Sequence, residues 1–212
     1  PAMLTPTQAD VDAGRAKDTG ALGWYLGKPT PDYNANFGAT IKVGKNWRMS
    51  DEILERYVVR YIEAQDVSEV NFAWQGGEPT LMGVDFYRRA VQLQRQYGEG
   101  KTITNAFQTN GILLDDEWGE FLSENNFLVG LSIDGPRQFH DHYRVDKGQK
   151  PTYDRVVAGL EVLKKHQVEF NTLTVLQNQN ADHPLEVYRF LKEIGSGFMQ
   201  SVSYTHLRAH ET

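Results

Sequence analysis

Cysteine is absent from this chain of 212 residues. Its absence excludes disulfide bonds, thiol nucleophiles and thiolate ligands for a metal or an iron–sulfur cluster. Long apolar runs are also lacking, and none approaches the about 18 residues that a membrane-spanning helix needs. Residues 1–12 contain no basic segment followed by an apolar one, so the sequence as given predicts a cytoplasmic protein without a secretory signal.

An excess of basic residues is lacking as well, because the formal net charge is −6. Surfaces that bind nucleic acid or anionic membranes need clustered positive charge, so we expect neither as a partner. With 40% apolar and 24% charged residues, the composition is that of a globular protein. The length predicts one domain with a hydrophobic core.

The chain divides into three zones. Residues 1–43 are rich in Gly, Pro, Ala, Asp and Thr without an apolar period, which predicts an irregular, non-native or disordered segment. Residues 44–200 have a regular pattern and form the predicted domain. Residues 201–212 lose that pattern and resemble translated adapter sequence, so we expect a non-native tail and a truncated, chimeric gene product.

The middle zone alternates between helical and extended patterns. Ser50 and Thr152 are predicted to cap the first and fourth helices. The predicted helices are Ser50–Gln65, Val84–Tyr97, Asp115–Asn125, Thr152–His166 and Leu185–Ile194, and the predicted strands are Val70–Gln75, Ile103–Gln108, Phe127–Ile133, Phe170–Leu176 and Phe198–Val202. This alternation indicates right-handed β–α units on a parallel sheet, either part of a barrel or an open doubly wound sheet.

Each of the first four predicted strands is followed by a small, polar or glycine-containing loop. The loops are Gln75–Thr80, Gln108–Gly111, Ser132–Pro136 and Gln177–Asn180. In a parallel sheet these loops leave one edge, so the pattern predicts a common site at the carboxyl ends of the strands.

The Gly76-Gly77-Glu78-Pro79 segment allows close approach of a ligand to backbone, and its carboxylate suits an ammonium group. The alternative is a tight turn with a solvated glutamate.

Several other residues have equally plain alternatives. Asn110 and Gly111 are a common turn pair, and Asp134 is suited to capping backbone amides. Arg144 has Asp141 and Asp146 close by in sequence, and such surface pairs contribute about 0–1 kcal/mol. No metal-binding helix motif accompanies the two histidines of the His140-Asp141-His142 segment, so we predict that both lie on the surface.

Six segments together resemble the anaerobic sulfatase-maturating enzymes, a family of radical S-adenosylmethionine enzymes. They occur in the family's order and span residues 46–200. The segments are Phe72–Met82, Gln108–Gly111, Phe127–Pro136, Tyr143–Gly148, Val168–Asn171 and His183–Tyr188.

The resemblance implies a partial (β/α)6 barrel of parallel strands, lacking the first strand with its cluster loop and the carboxyl-terminal region. It also implies the use of S-adenosylmethionine and a [4Fe–4S] cluster to convert a cysteine or serine of a sulfatase polypeptide into Cα-formylglycine. A flavodoxin or ferredoxin is implied as the electron donor.

Carried over by position, the resemblance also implies roles for eight residues. Gly76, Gly77 and Glu78 hold the methionyl amino group, and Ser132 and Arg144 hold the carboxylate or ribose end. Gln75, Gln108 and Asn110 line the cofactor or substrate cleft.

The chain departs from the family at the cluster. The family carries a C-x3-C-x2-C motif before the helix that corresponds to Ser50–Gln65, and residues 28–45 contain no cysteine. Thiolates hold such clusters, so we expect no cluster ligands and an inactive fragment whose catalytic residues are unknown.

Three alternatives remain open. One is a fragment of another radical S-adenosylmethionine enzyme that modifies a different peptide residue. Another is a cluster-free barrel fragment that binds a nucleoside or peptide without catalysis. A third is an iron-independent barrel enzyme, which needs a buried lysine or paired carboxylates at strand ends.

Overall fold

The computed structural model describes residues 48–203. Five parallel strands form one sheet in the order β1-β2-β3-β4-β5, curled as half of a barrel. The strands are β1 Glu69–Trp74, β2 Thr102–Thr109, β3 Phe127–Ser132, β4 Phe170–Leu176 and β5 Met199–Ser203. All five predicted strands are confirmed, and β5 crosses the domain boundary that was predicted at residue 200.

The five predicted helices are also confirmed, each within two residues of its expected ends. The helices are α1 Asp51–Glu63, α2 Val84–Tyr97, α3 Asp116–Glu124, α4 Arg137–Tyr143, α5 Tyr153–Lys165 and α6 Pro184–Glu193, with a 3₁₀ turn at Pro79–Met82. Helix α4 was not predicted, because seven residues with two buried side chains are too short to show a helical period.

Ser50 and Thr152 both occupy the N-cap positions that the sequence predicts, but only the Ser50 side chain caps its helix. The Ser50 hydroxyl accepts a hydrogen bond from the Ile53 amide at 3.3 Å. The Thr152 hydroxyl instead donates to the Arg144 carbonyl at 2.7 Å. The Asp141 carboxylate caps α5 in its place, because its Oδ1 accepts from the amides of Thr152 and Tyr153 at 3.0 and 2.8 Å.

Successive side chains along each strand point to opposite faces of the sheet, so the sheet has two faces of different composition. One face packs under the helices and forms a core rich in aromatic residues, including Phe72, Trp74, Tyr87, Phe107 and Trp118. The opposite, concave face carries shorter and more polar side chains, including Asn71, Ala73, Thr104, Ala106 and Gln108. Candidate site residues therefore lie on or above the concave face and not in the helix-facing core.

Helix α5 touches the backbone of the loop after β2. A Cβ atom added to Gly159 would lie 2.1 Å from the Gly111 carbonyl oxygen. Gly111 has a φ of 76°, a conformation that favours glycine. This contact sets the position of α5 against the carboxyl edge of the sheet.

We predict that Gly159→Ala destabilises the chain by about 1–3 kcal/mol, because the added methyl group collides with backbone. Urea unfolding of both proteins measures the difference. Glu161→Ala, at an exposed position of the same helix, is the matched control and should change stability by less than about 0.5 kcal/mol. Equal stability of the two variants would contradict the close approach.

Candidate functional site

The predicted site residues all lie at or near the carboxyl edge of the sheet. Gln75, Gly76, Gly77 and Glu78 follow β1, and Asn110 follows β2, whose penultimate residue is Gln108. Ser132 ends β3, and Arg144 follows α4. Asn110 stands one position beyond the registered pair Thr109–Leu131, so it is next to Ser132 along this edge.

The glycine pair after β1 has the backbone that the sequence predicts. Gly76 and Gly77 have φ angles of 107° and 55°. Among the described residues, no atom lies within 4 Å of the position that a Cβ of Gly77 would occupy. Gly77 therefore has room for a ligand beside it, and both backbone conformations are strained for any residue with a side chain.

The Glu78 carboxylate is an anchor between the first two strands. Its Oε1 accepts from the Thr80 amide at 3.0 Å, from the Thr80 hydroxyl at 2.6 Å and from the Thr109 hydroxyl at 2.7 Å. Within residues 48–203, its Oε2 accepts a single hydrogen bond, from the Asn110 amide at 2.8 Å. A solvated glutamate is therefore excluded, and Oε2 is the oxygen that retains capacity for an ammonium group.

A buried tyrosine supports the same turn. The Tyr87 hydroxyl donates to the Pro79 carbonyl at 3.1 Å. Burial raises the pKa of Tyr87 well above its ordinary value, and the nearby negative charge of Glu78 raises it further. Tyr87 is therefore a neutral donor under Glu78 at physiological pH.

Three amide side chains at this edge retain free donors within residues 48–203. Asn110 Oδ1 accepts from the Ile112 amide at 3.0 Å, which confirms the turn reading, and its Nδ2 donates to none of the described residues. The side chains of Gln75 and Gln108 are half-buried and make no hydrogen bond to a described residue. These amides have the unused donors and acceptors that a cleft lining needs.

Arg144 pairs with Asp134, and not with Asp141 or Asp146 as in the alternative interpretation. Nε and Nη2 donate to the two oxygens of Asp134 at 2.7 and 2.9 Å. The Asp134 side chain is 3% exposed and that of Arg144 is 24% exposed. Across the described part of the chain, Nη1 of Arg144 has no partner, so one edge of the guanidinium remains available.

Asp134 also confirms its predicted role towards backbone amides. Its Oδ1 accepts from the Val175 amide in β4 at 2.9 Å. The buried side chain of Asn180 donates to the carbonyls of Asp134 and Val175 at 3.1 and 2.9 Å. The loops after β3 and β4 are therefore joined in the same way as Glu78 joins those after β1 and β2.

Ser132 lies between these two anchors. The residue is 8% exposed, and its hydroxyl makes no hydrogen bond among the residues that the structure describes. An accessible hydroxyl without a partner is available to a ligand.

Sequence reasoning missed one residue of this edge. His140 was predicted on the surface and is fully buried, whereas His142 is exposed as expected. The prediction for His140 failed because α4 is too short for its pattern to separate buried from exposed positions. Phe139, also buried, is the one neighbouring apolar residue of α4 that indicates a buried side.

The sequence model of the Radical SAM superfamily matches residues 15–191. The chain belongs to this superfamily. The match begins inside the segment predicted to be non-native, which lies outside the described residues.

Similar radical SAM proteins include a serine-type anaerobic sulfatase-maturating enzyme of Bacteroides thetaiotaomicron. It is 49% identical over 152 residues, covering 72% of this chain and 37% of that protein. A cysteine-type anaerobic sulfatase-maturating enzyme of Clostridium perfringens is 43% identical over 156 residues, covering 73% and 42%. The chain therefore spans well under half of the length of these relatives.

Solved structures agree with this fold. Native anSMEcpe with bound AdoMet and Kp18Cys peptide superposes with a TM-score of 0.70 and 42% identity, covering 73% of this chain and 43% of that one. SuiB of Streptococcus suis has a TM-score of 0.57 and 17% identity, covering 77% and 36%, and shows the fold alone. These matches confirm the partial radical SAM barrel.

The residues present do not fit an iron–sulfur cluster. The superfamily's clusters need thiolates, and the chain contains no cysteine. Residues 48–203 also contain no group of three or more His, Asp or Glu side chains able to hold a metal ion. The edge of the sheet has groups that suit S-adenosylmethionine, because glycine backbone occurs there together with a hydroxyl and a guanidinium edge that have no partner among residues 48–203.

None of the helices between residues 48 and 203 is long and apolar enough to cross a membrane.

We predict that Glu78→Gln destabilises the chain by about 1–3 kcal/mol, because the new NH₂ group faces donors that the carboxylate accepts from. Urea unfolding measures the loss. Glu99→Gln, at an exposed glutamate without a described partner, should leave stability within about 0.5 kcal/mol of the unchanged chain. Unchanged stability of Glu78→Gln would show that the four hydrogen bonds do not anchor the loop.

Proposed function

We propose that residues 48–203 are the S-adenosylmethionine-binding half of a sulfatase-maturating barrel. The observation that carries the proposal is the combination, at one edge, of the Gly76-Gly77 backbone, the free Ser132 hydroxyl and the free edge of Arg144. The radical SAM match and the identity to sulfatase-maturating relatives support it.

In this proposal each group meets a matching part of the ligand. The backbone of Gly76 and Gly77 and Oε2 of Glu78 receive the methionyl ammonium group. Ser132 and Nη1 of Arg144 donate to the carboxylate or the ribose, since a guanidinium and a hydroxyl are both donors.

The half-buried amides of Gln75, Gln108 and Asn110 line the cleft beside the ligand in this proposal. An amide offers both a donor and an acceptor, so these side chains can bind adenosine or a peptide backbone.

The complete protein oxidises a cysteine or serine of a sulfatase polypeptide to Cα-formylglycine in this proposal. Both serine-type and cysteine-type enzymes are among the relatives, so the target residue is left open. An electron donor such as flavodoxin or ferredoxin and a cytoplasmic site of action belong to the same proposal. The radical step needs a cluster that this chain has no cysteine to hold, so we assign binding alone to the chain.

We expect S-adenosylmethionine to bind to the chain, as measured by isothermal titration calorimetry, and anaerobic reconstitution to leave it without iron. Ser132→Ala should weaken binding about two- to tenfold, because one hydrogen bond to the ligand is lost. The variant should fold normally, since this hydroxyl has no described protein partner.

Ser123→Ala, near the carboxyl-terminal end of α3 and away from the proposed site, is the matched control and should bind like the unchanged chain. Absence of binding, or equal affinity of the Ser132 and Ser123 variants, would contradict the proposed site.

A chimera tests the complete activity. Residues 48–203 replace the matching segment of the Bacteroides thetaiotaomicron enzyme, and formylglycine in a serine-containing sulfatase peptide is scored by mass spectrometry. We expect the chimera to form formylglycine. A chimera that binds S-adenosylmethionine and leaves sulfatase peptides unchanged would favour the alternative of a different peptide modification.

A further inference from the structure

The buried imidazole of His140 is connected to both residues of the Asp134–Arg144 ion pair. It contacts the backbone of Asp134 directly and that of Arg144 through the Thr152 hydroxyl. Its Nδ1 lies 3.4 Å from the Asp134 amide nitrogen, and its Nε2 lies 3.2 Å from the Thr152 hydroxyl. That hydroxyl donates to the Arg144 carbonyl at 2.7 Å. With the Asp134–Arg144 pair, these contacts form a closed ring of four residues, the Asp134–His140–Thr152–Arg144 ring.

Donor and acceptor roles in this ring follow from the Thr152 hydroxyl. A hydroxyl has one proton, and Thr152 uses it on the Arg144 carbonyl. The hydroxyl must therefore accept from His140, so Nε2 carries the proton. Nδ1 is then the lone-pair nitrogen that accepts from the Asp134 amide. The imidazole is neutral and has one defined tautomer.

The surroundings of His140 favour the neutral form of its imidazole. Its pKa is lowered to about 4, mainly by burial and also by the positive charge of Arg144, against the opposing effect of Asp134 and Asp141. The Tyr153 ring packs edge-on at 5.8 Å between centroids. A proton on Nδ1 would also face the N–H of Asp134, so protonation would break the ring of hydrogen bonds.

The ring of hydrogen bonds determines the orientation of Nη1 of Arg144, the nitrogen that remains available to a ligand. Arg144 follows a seven-residue helix, and its backbone is held by its amide, which donates to the His140 carbonyl at 2.9 Å, and by the antiparallel bridge between Val145 and Pro151. The hydroxyl of Thr152 fixes its carbonyl, and the carboxylate of Asp134 fixes Nε and Nη2. Only Nη1 is left without a described partner, so the orientation of this N–H depends on both contacts.

We propose that His140, as a neutral imidazole acting with Thr152, is a positioning residue that holds Arg144 for the carboxylate of the bound ligand. This inference rests on the proposed function, because the carboxylate is that of S-adenosylmethionine. His140 touches no reacting atom and acts through Asp134 and Thr152.

The first test needs no ligand. We expect nuclear magnetic resonance of the full chain to show His140 as the Nε2–H tautomer from pH 7 to pH 5. Exchange of the Arg144 Nε–H with solvent should be faster in Thr152→Val, which lacks the hydroxyl, and unchanged in Thr152→Ser, which keeps it. A His140 imidazole protonated at pH 6, the Nδ1–H tautomer, or equal exchange rates of the Arg144 Nε–H in the two variants would overturn the proposal.

The second test separates positioning from general structural support. Calorimetry compares S-adenosylmethionine with decarboxylated S-adenosylmethionine, which has the same nucleoside and sulfonium but no carboxylate. Thr152→Val should weaken binding of the first ligand about fivefold and leave the second unchanged, and Thr152→Ser should restore affinity. Equal weakening of both ligands would assign the ring a structural role only.

The two tests distinguish this inference from the proposed function. If the unchanged chain binds neither ligand, the proposed function is refuted, and so is the assignment of Arg144 to the ligand carboxylate. The nuclear magnetic resonance experiment still decides whether His140 holds Arg144. If both ligands bind and only the variants behave unexpectedly, the proposed function stands and the role of His140 is refuted.

Discussion

The carboxylate of Asp134 holds together the part of the molecule on which the candidate site depends. It accepts two hydrogen bonds from Arg144 and one from the Val175 amide, and its side chain is almost fully buried. A buried charge that loses its partner destabilises a protein by about 3–5 kcal/mol, so this arrangement strongly resists change. Because Val175 belongs to β4, the register of the sheet determines where the guanidinium of Arg144 lies.

The regular elements were predictable because they follow periodic burial. The bounds of α2 and β4 match their sequence patterns residue for residue, since long amphipathic helices and buried strands repeat the same spacing many times. Helix α4 offered no such repetition. Its buried side, including His140, became visible only in the fold.

The partners of the polar side chains were less predictable than the loops that carry them. The sequence placed Glu78 and Arg144 in loops at one edge. It did not reveal that Glu78 accepts from residues more than thirty positions away, or that Arg144 pairs with Asp134 across α4. Both contacts depend on strand register and on the direction of a short helix, which local patterns do not encode. Local sequence predicted that the Thr152 side chain caps α5. Its hydroxyl instead donates to the carbonyl of Arg144, in the segment after α4.

The proposed function separates two properties that the superfamily normally combines. In this proposal the donors and acceptors for a nucleoside that carries an amino acid lie on a sheet edge held by the carboxylates of Glu78 and Asp134. The thiolates that make such a nucleoside reactive have no counterpart in this sequence. Recognition and radical formation therefore depend on different residues.

The contact between Gly159 and Gly111 has a mechanical consequence. Helix α5 rests directly on main chain at one point, and beyond its last residue His166 Nε2 lies 2.8 Å from Asp116 at the start of α3. A helix supported at two separated points cannot tilt or slide without displacing both. A change in the position of α5 is therefore coupled to both the loop after β2 and the start of α3.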